Sequence, residues 1–143
     1  MKVGFVAGFG PIVRDTVASR AFWGSAVGIE LEEAAPGYFA TDELPGVRAF
    51  ALWPLSQAAE SCFGSGDWPD DLPTPTTWIE LDVESAEAVN GAAAELEAAG
   101  YRLLRRPAAE PWGQTVARLL SPEALLVGLT YTPWMHDQRE ADR

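Results

Sequence analysis

Val13-Arg14-Asp15 and Val83-Glu84-Ser85 stand at matching places in two similar halves of the chain, and their reading decides the fold. Each triplet closes an apolar run and opens an amphipathic stretch, the first ending at Gly28 and the second at Gly100. Asp15 (or Thr16) and Ser85 are helix N-caps by type, and a glycine after the last periodic residue is a helix stop. In the first stretch Val17, Arg20-Ala21, Trp23-Gly24 and Val27 fall at helical spacing; the second is rich in alanine from Ala86 to Ala99. After Gly28 come three runs with strand patterning at 29–33, Tyr38–Thr41 and 47–53, separated by turns holding Pro36-Gly37 and Pro45-Gly46. After Gly100 come runs at 101–106, 113–120 and 125–131. With 3–13 and 78–83 as leading strands, each half reads β-α-β-β-β. Such self-similarity marks the duplication of one supersecondary unit, and the two copies bury faces against each other.

The halves fit one domain: a first module at 3–55, a linker at 56–75, a second module at 76–132 and a polar tail at 133–143, with the end from His136 onward expected to fray. The linker holds Gly64, Gly66, prolines 69, 73 and 75, and the acids Glu60, Asp67, Asp70 and Asp71. Its aromatics Phe63 and Trp68 are unusual in a passive tether. They read either as a flap or as a loop covering core.

Composition removes several classes of function. The 48% apolar and 22% charged content is that of a globular chain rather than a disordered one. A formal net charge of −11 argues against a nucleic-acid partner, which needs a Lys/Arg surface to release counterions. It suits a cationic small molecule, although an acidic surface most often serves solubility alone. The single cysteine, Cys62, allows no intrachain disulfide and no cysteine-based zinc site. No run approaches the ~20 apolar residues of a membrane span, and the N-terminal run is too glycine-broken for a secretory segment, so a cytoplasmic protein is expected. No Gly-Lys-Ser/Thr phosphate loop is present, and a Ser/His/Asp or Cys/His site needs a placed histidine where His136 in the tail is the only one. Glu80 and Asp82 suit general acid–base work if desolvated, but such groups are more often solvated or ion-paired.

Alternation assigns the strand faces. In 78–83 the aliphatic set Ile79, Leu81 and Val83 belongs under a helix, which leaves Trp78, Glu80 and Asp82 on the other face. Phe9, Pro11 and Val13 likewise go with the helix, leaving Gly8, Gly10 and Ile12; in 125–131 the residues left are Leu126, Gly128 and Thr130. Matching 47–53 to 125–131 as repeats puts Arg48, Phe50 and Leu52 on the face away from the helices. Three glycines beside aromatics and two carboxylates read as a cup with an aromatic wall and a charged rim. The bland alternative is that the glycines are bulge or twist sites and the acids sit at a solvated sheet end.

This pattern resembles the vicinal oxygen chelate superfamily, the glyoxalase / bleomycin-resistance / extradiol dioxygenase group, over roughly residues 3–132. The resemblance rests on Val13-Arg14-Asp15 followed by Ser19 and Phe22-Trp23, on Val83-Glu84-Ser85, and on Glu110-Pro111-Trp112-Gly113 running into Ser121-Pro122-Glu123. The last of these is most similar to the bleomycin-resistance branch. The resemblance implies an α+β fold in which two βαβββ modules form an open curled sheet, usually in a homodimer. In enzymes of that group His or Gln, Glu, His and Glu hold a divalent metal at the cup floor. Those positions fall here on Gly8, Phe50, Trp78 and Gly128, none of which ligates a metal.

The expectation is therefore a non-catalytic protein, with no metal and no cofactor, that sequesters an aromatic natural product, cationic ones included, and so confers antibiotic resistance. Trp78, Trp112, Phe50 and Trp68 would stack on the ligand, Glu80 and Asp82 would fix its polar or cationic groups, and Gly8, Gly10 and Gly128 would make room. Trp23 and Trp53 read as core. The rival readings are a metal-independent enzyme of the same fold acting on a small apolar substrate, and a ligand-sensing or interaction module.

Overall fold

The computed structural model describes residues 1–136. Its elements are β1 (Phe5–Val13), α1 (Thr16–Arg20) running on as a π-helical stretch (Ala21–Ala26), β2 (Glu32–Ala35), β3 (Tyr38–Thr41), β4 (Phe50–Pro54) and α2 (Leu55–Phe63). Then follow β5 (Thr77–Asp82), α3 (Ala86–Ala98), β6 (Arg105–Ala109), β7 (Thr115–Leu120) and β8 (Leu126–Tyr131), with a helical turn at 133–136. The two N-caps form as their residue types dictate: Asp15 accepts from the Ala18 N–H at 3.0 Å and Ser85 from the Ala88 N–H at 3.0 Å. Among the described residues no helix is long and apolar enough to cross a membrane.

All eight strands form one sheet in the order β2-β3-β4-β1-β5-β8-β7-β6. The two modules meet edge to edge along antiparallel β1 and β5, with Gly8 opposite Glu80 and Gly10 opposite Trp78. Each leading strand carries the last strand of its own module in parallel, Phe9 beside Phe50 and Glu80 beside Gly128. On the outer face α1 and its π extension cover Val13, Phe39, Phe50 and Leu52 through Trp23, while α3 covers Val83 and Ala117 through Val89 and Ala93. The edge strand β6 accommodates Pro107, which has no N–H to give a ladder.

Three sequence expectations change. The residues 57–63 placed in the linker are helical: α2 buries Ala58, Ala59 and Cys62, and Gly64 closes it at φ 72°. This helix lies on the inner face, where Ala58 and Cys62 join Ile12, Ala51, Trp78 and Leu126 in one cluster. Phe63 and Trp68 pack against that cluster with ring centroids 5.1 Å apart, so these aromatics cover core. Second, β4 has the opposite register from the one expected. Phe50 meets Trp23 at 5.6 Å and Phe9 at 5.5 Å on the outer face, and Leu52 joins it there, while Ala51 and Trp53 face inward. Phe9 and Ile79 stand at matching places before Val13 and Val83, and Phe9 pairs with Phe50 as Ile79 pairs with Val127, so the repeat partner of Gly128 is Ala51, one residue on from the match by length.

Third, the glycines are spoken for by the fold. A Cβ on Gly10 would stand 2.0 Å from the Ala51 carbonyl oxygen, and one on Gly8 would stand 2.9 Å from that of Ala49 and 3.0 Å from the Trp78 ring. They let β1 and β4 approach closely with Trp78 lying across them, instead of leaving space for a ligand.

Candidate functional site

The inner face has a packed floor. Trp78 on β5 is 4% exposed; its indole N–H donates to the Ala51 carbonyl at 3.2 Å, and its ring meets Trp53 edge-on at 6.1 Å. Beside it Arg118 on β7, 2% exposed, lies with its guanidinium carbon 4.7 Å from the Trp53 ring centroid. Its Nη2 donates to Glu80 at 3.2 Å and its Nε to Ser61 Oγ of α2 at 3.0 Å. Arg105 also donates to Ser61 Oγ and pairs with Glu110. The second Glu80 oxygen accepts from Gln114 Nε2 at 3.1 Å, and Gln114 in turn accepts from the Trp112 indole at 3.1 Å.

Burial sets the chemistry of the remaining groups. Desolvation foremost, then the Glu80 charge, pushes the Tyr38 hydroxyl up to about 12, against the opposing pull of Arg118. Desolvation likewise pushes the Cys62 thiol up to about 11, although Arg118 and Arg105 act the other way, so this cysteine is a poor nucleophile at neutral pH. Asp82 is fully buried toward the other end of β5. Its Oδ1 accepts from Thr130 at 2.8 Å and its Oδ2 lies 2.6 Å from His136 Nε2.

The structure thus brings together only part of the expected site. Trp78, Glu80, Gly8, Gly10 and Gly128 do share the inner floor, but α2 seals it. Glu80 and Asp82 have both carboxylate oxygens engaged within the protein rather than facing solvent. Trp112 stands exposed at the rim beyond Gln114. Trp68 lies in the loop after α2, bonded through its indole to the Pro73 carbonyl at 3.0 Å. Phe50 is on the far side of the sheet.

Open space lies instead beside the first module, in a cleft of about 730 Å³ between the helical stretch 16–26, the β2–β3 hairpin, the start of β4 and the turn at 133–136. Ala40, Asp42, Arg48 and Ala49 line it from the first module, and Trp134 and Met135 from the turn at 133–136. Arg20, whose guanidinium lies 4.6 Å from the Phe39 ring centroid, and Leu31 extend it around the β2–β3 hairpin, with Glu30, Glu32 and Glu43 at its margin. A broader depression of about 790 Å³ lies beyond α2 around Arg14, Asp67 and Trp68. Trp134 and Met135 lie in the stretch 133–143 that reads by composition as a polar tail. The signal against that was Pro133 followed by two large apolar residues, since proline opens a helical turn. Residues 137–143 of that tail lie outside the described residues.

A divalent metal does not fit this floor. With the β4 register corrected, its four positions are Gly8, Ala51, Trp78 and Gly128, and none carries a donor side chain. Where a Cβ on Gly128 would be, Arg118 Nη1 is 3.1 Å away, so a guanidinium already holds positive charge there. Among the described residues no three His, Cys, Asp or Glu side chains gather around a common point.

No protein-family profile matches the sequence, and no curated protein does. Solved structures do match. A glyoxalase/bleomycin resistance protein/dioxygenase superfamily member from Vibrio splendidus is 18% identical with a TM-score of 0.56, over 90% of this chain and 98% of that one. A methylmalonyl-CoA epimerase from Streptomyces coelicolor is 18% identical at 0.56, over 92% and 99%. The Mn(II)-bound glyoxalase from Novosphingobium aromaticivorans is 24% identical at 0.58, over 91% of this chain and 39% of that one. The chain has the glyoxalase/bleomycin-resistance/dioxygenase fold, that of the vicinal oxygen chelate superfamily. The likeness is one of fold and singles out no branch within it.

Proposed function

We propose that this protein is a metal-independent, non-catalytic binder that sequesters an aromatic natural product, of the kind that confers antibiotic resistance, in the cytoplasm. The observation that carries this reading is the cleft of about 730 Å³ walled by Trp134 beside a floor without metal donors. Drug-sized ligands occupy pockets of roughly 300–1,000 Å³, and this cleft has that size with a lining rich in charged side chains. Trp134 is 43% exposed, which leaves ring surface for a ligand to cover, and Asp42 and Glu43 suit a cationic substituent. An enzyme working through Glu80 is less well supported, because Arg118 and Gln114 hold both of its oxygens.

Native mass spectrometry with a panel of aromatic antibiotics tests the reading: a 1:1 complex with ligand of unchanged mass is expected, and a changed ligand mass would establish turnover instead. Trp134→Ala should weaken binding by roughly 5- to 150-fold, the loss of one stacking wall, with the melting temperature nearly unchanged.

The same proposal includes a homodimer. Phe9 (42% exposed) and Phe22 (54%) flank the buried Phe50 and the partly buried Trp23 on the outer face, an apolar surface suited to a second copy. Sedimentation at micromolar concentration should give twice 15.4 kDa; a species of 15.4 kDa would remove the dimer from the proposal.

A further inference from the structure

The turn at 133–136 carries one wall of the cleft, and its polar anchor to the sheet is His136. That anchor meets an unusual group. Asp82 is fully buried within β5, where a carboxylate is costly unless each oxygen is hydrogen-bonded. The sheet satisfies one oxygen through Thr130; the other is satisfied by His136 from the turn, at 2.6 Å. The imidazole is held between Phe5, at 5.4 Å, and Tyr131, at 4.8 Å between ring centroids. Lifting the turn therefore strands half of a buried carboxylate, while docking it inserts Met135, nearly buried, and the half-exposed Trp134 into the cleft wall.

We propose that the turn at 133–136 is a movable wall of the ligand cleft, clamped by the Asp82–His136 pair. Trp134 and Met135 are then ligand-contacting residues, and Asp82 and His136 position them without touching the ligand. The ligand part rests on the cleft being the binding site; the clamp does not. A ligand enters or leaves when the pair opens, so the pair sets residence time more than the intrinsic complementarity of the site.

The test uses the full chain and proflavine, a planar cationic dye, as probe. His136→Phe keeps a ring between Phe5 and Tyr131 and removes the nitrogen that meets Asp82. Asp82→Asn weakens the same contact from the other side and serves if His136→Phe does not fold. Amide hydrogen exchange across 131–136 should accelerate by on the order of 10- to 100-fold, as expected for loss of one charge-assisted bond, while exchange in α3 stays unchanged. Proflavine release in stopped flow should accelerate by a similar factor. Unchanged exchange across 131–136 overturns the clamp. Faster exchange with unchanged dye release overturns the role of the turn as a cleft wall. If the unaltered protein takes up no proflavine or other aromatic ligand, the binding reading fails by itself, and the exchange measurement still decides the clamp.

Discussion

Trp78→Ala should cost about 3–5 kcal/mol of folding stability, the range for truncating a fully buried aromatic. At ~2–4 °C per kcal/mol for a chain of this size, the melting temperature should fall by roughly 6–20 °C. The cause is specific: α2 covers the indole, Gly8 and Gly10 are shaped around it, and its N–H satisfies the Ala51 carbonyl. The alternation of β5 alone leads to the contrary expectation, that Trp78→Ala spares the fold and Leu81→Ala damages it. Leu81 is only half-buried, so the loss there should be smaller than at Trp78. Thermal melts of the two variants side by side decide the matter; a costlier Leu81→Ala would mean that α2 does not seal the floor.

Arg118→Met should be at least as damaging. It removes the guanidinium from Glu80, Ser61 and the Trp53 ring, and leaves Glu80 with Gln114 as its partner in a mostly buried place. Breaking a buried pair from one side costs about 3–5 kcal/mol, much of it the penalty of the carboxylate left behind. The double variant Arg118→Met/Glu80→Gln removes that penalty and should recover part of the loss. Urea unfolding of both, together with Glu80→Gln alone, completes the cycle. Additive losses would show that the pair is uncoupled.

The duplicated βαβββ order, both helix caps and the inward side of Trp78, Glu80 and Gly128 were legible in the sequence, because period and capping chemistry are local. What was not legible depended on a neighbour. Phe50 reads as inward or outward according to a one-residue choice of register, and only its parallel pairing with β1 settles it. The stretch from Leu55 to Phe63 carries a helical spacing of Leu55, Ala58, Ala59 and Cys62 with Gly64 as a stop, but the prolines and glycines after it drew the whole segment into a linker. The missed helix then changed the site: an inner face taken to be open became a floor, and the open space moved to a wall built partly from Trp134 and Met135. Val27 shares a helical face with Trp23 by spacing yet stands exposed, since the π-helical stretch turns the register between them.

The seam between β1 and β5 has a kinetic consequence. It joins residues from opposite halves of the chain, whereas the β2–β3 and β7–β8 hairpins join near neighbours. Loop-closure entropy places such a seam late in folding, after the local pairings have formed, and slows the whole process relative to a helical protein of the same length. A side chain lying across a late seam gains its contacts on the native side of the barrier. Truncating Trp78 should therefore act chiefly by speeding unfolding and leave the refolding rate nearly as it was. The lifetime of the folded protein, more than its speed of formation, is what that one indole sets.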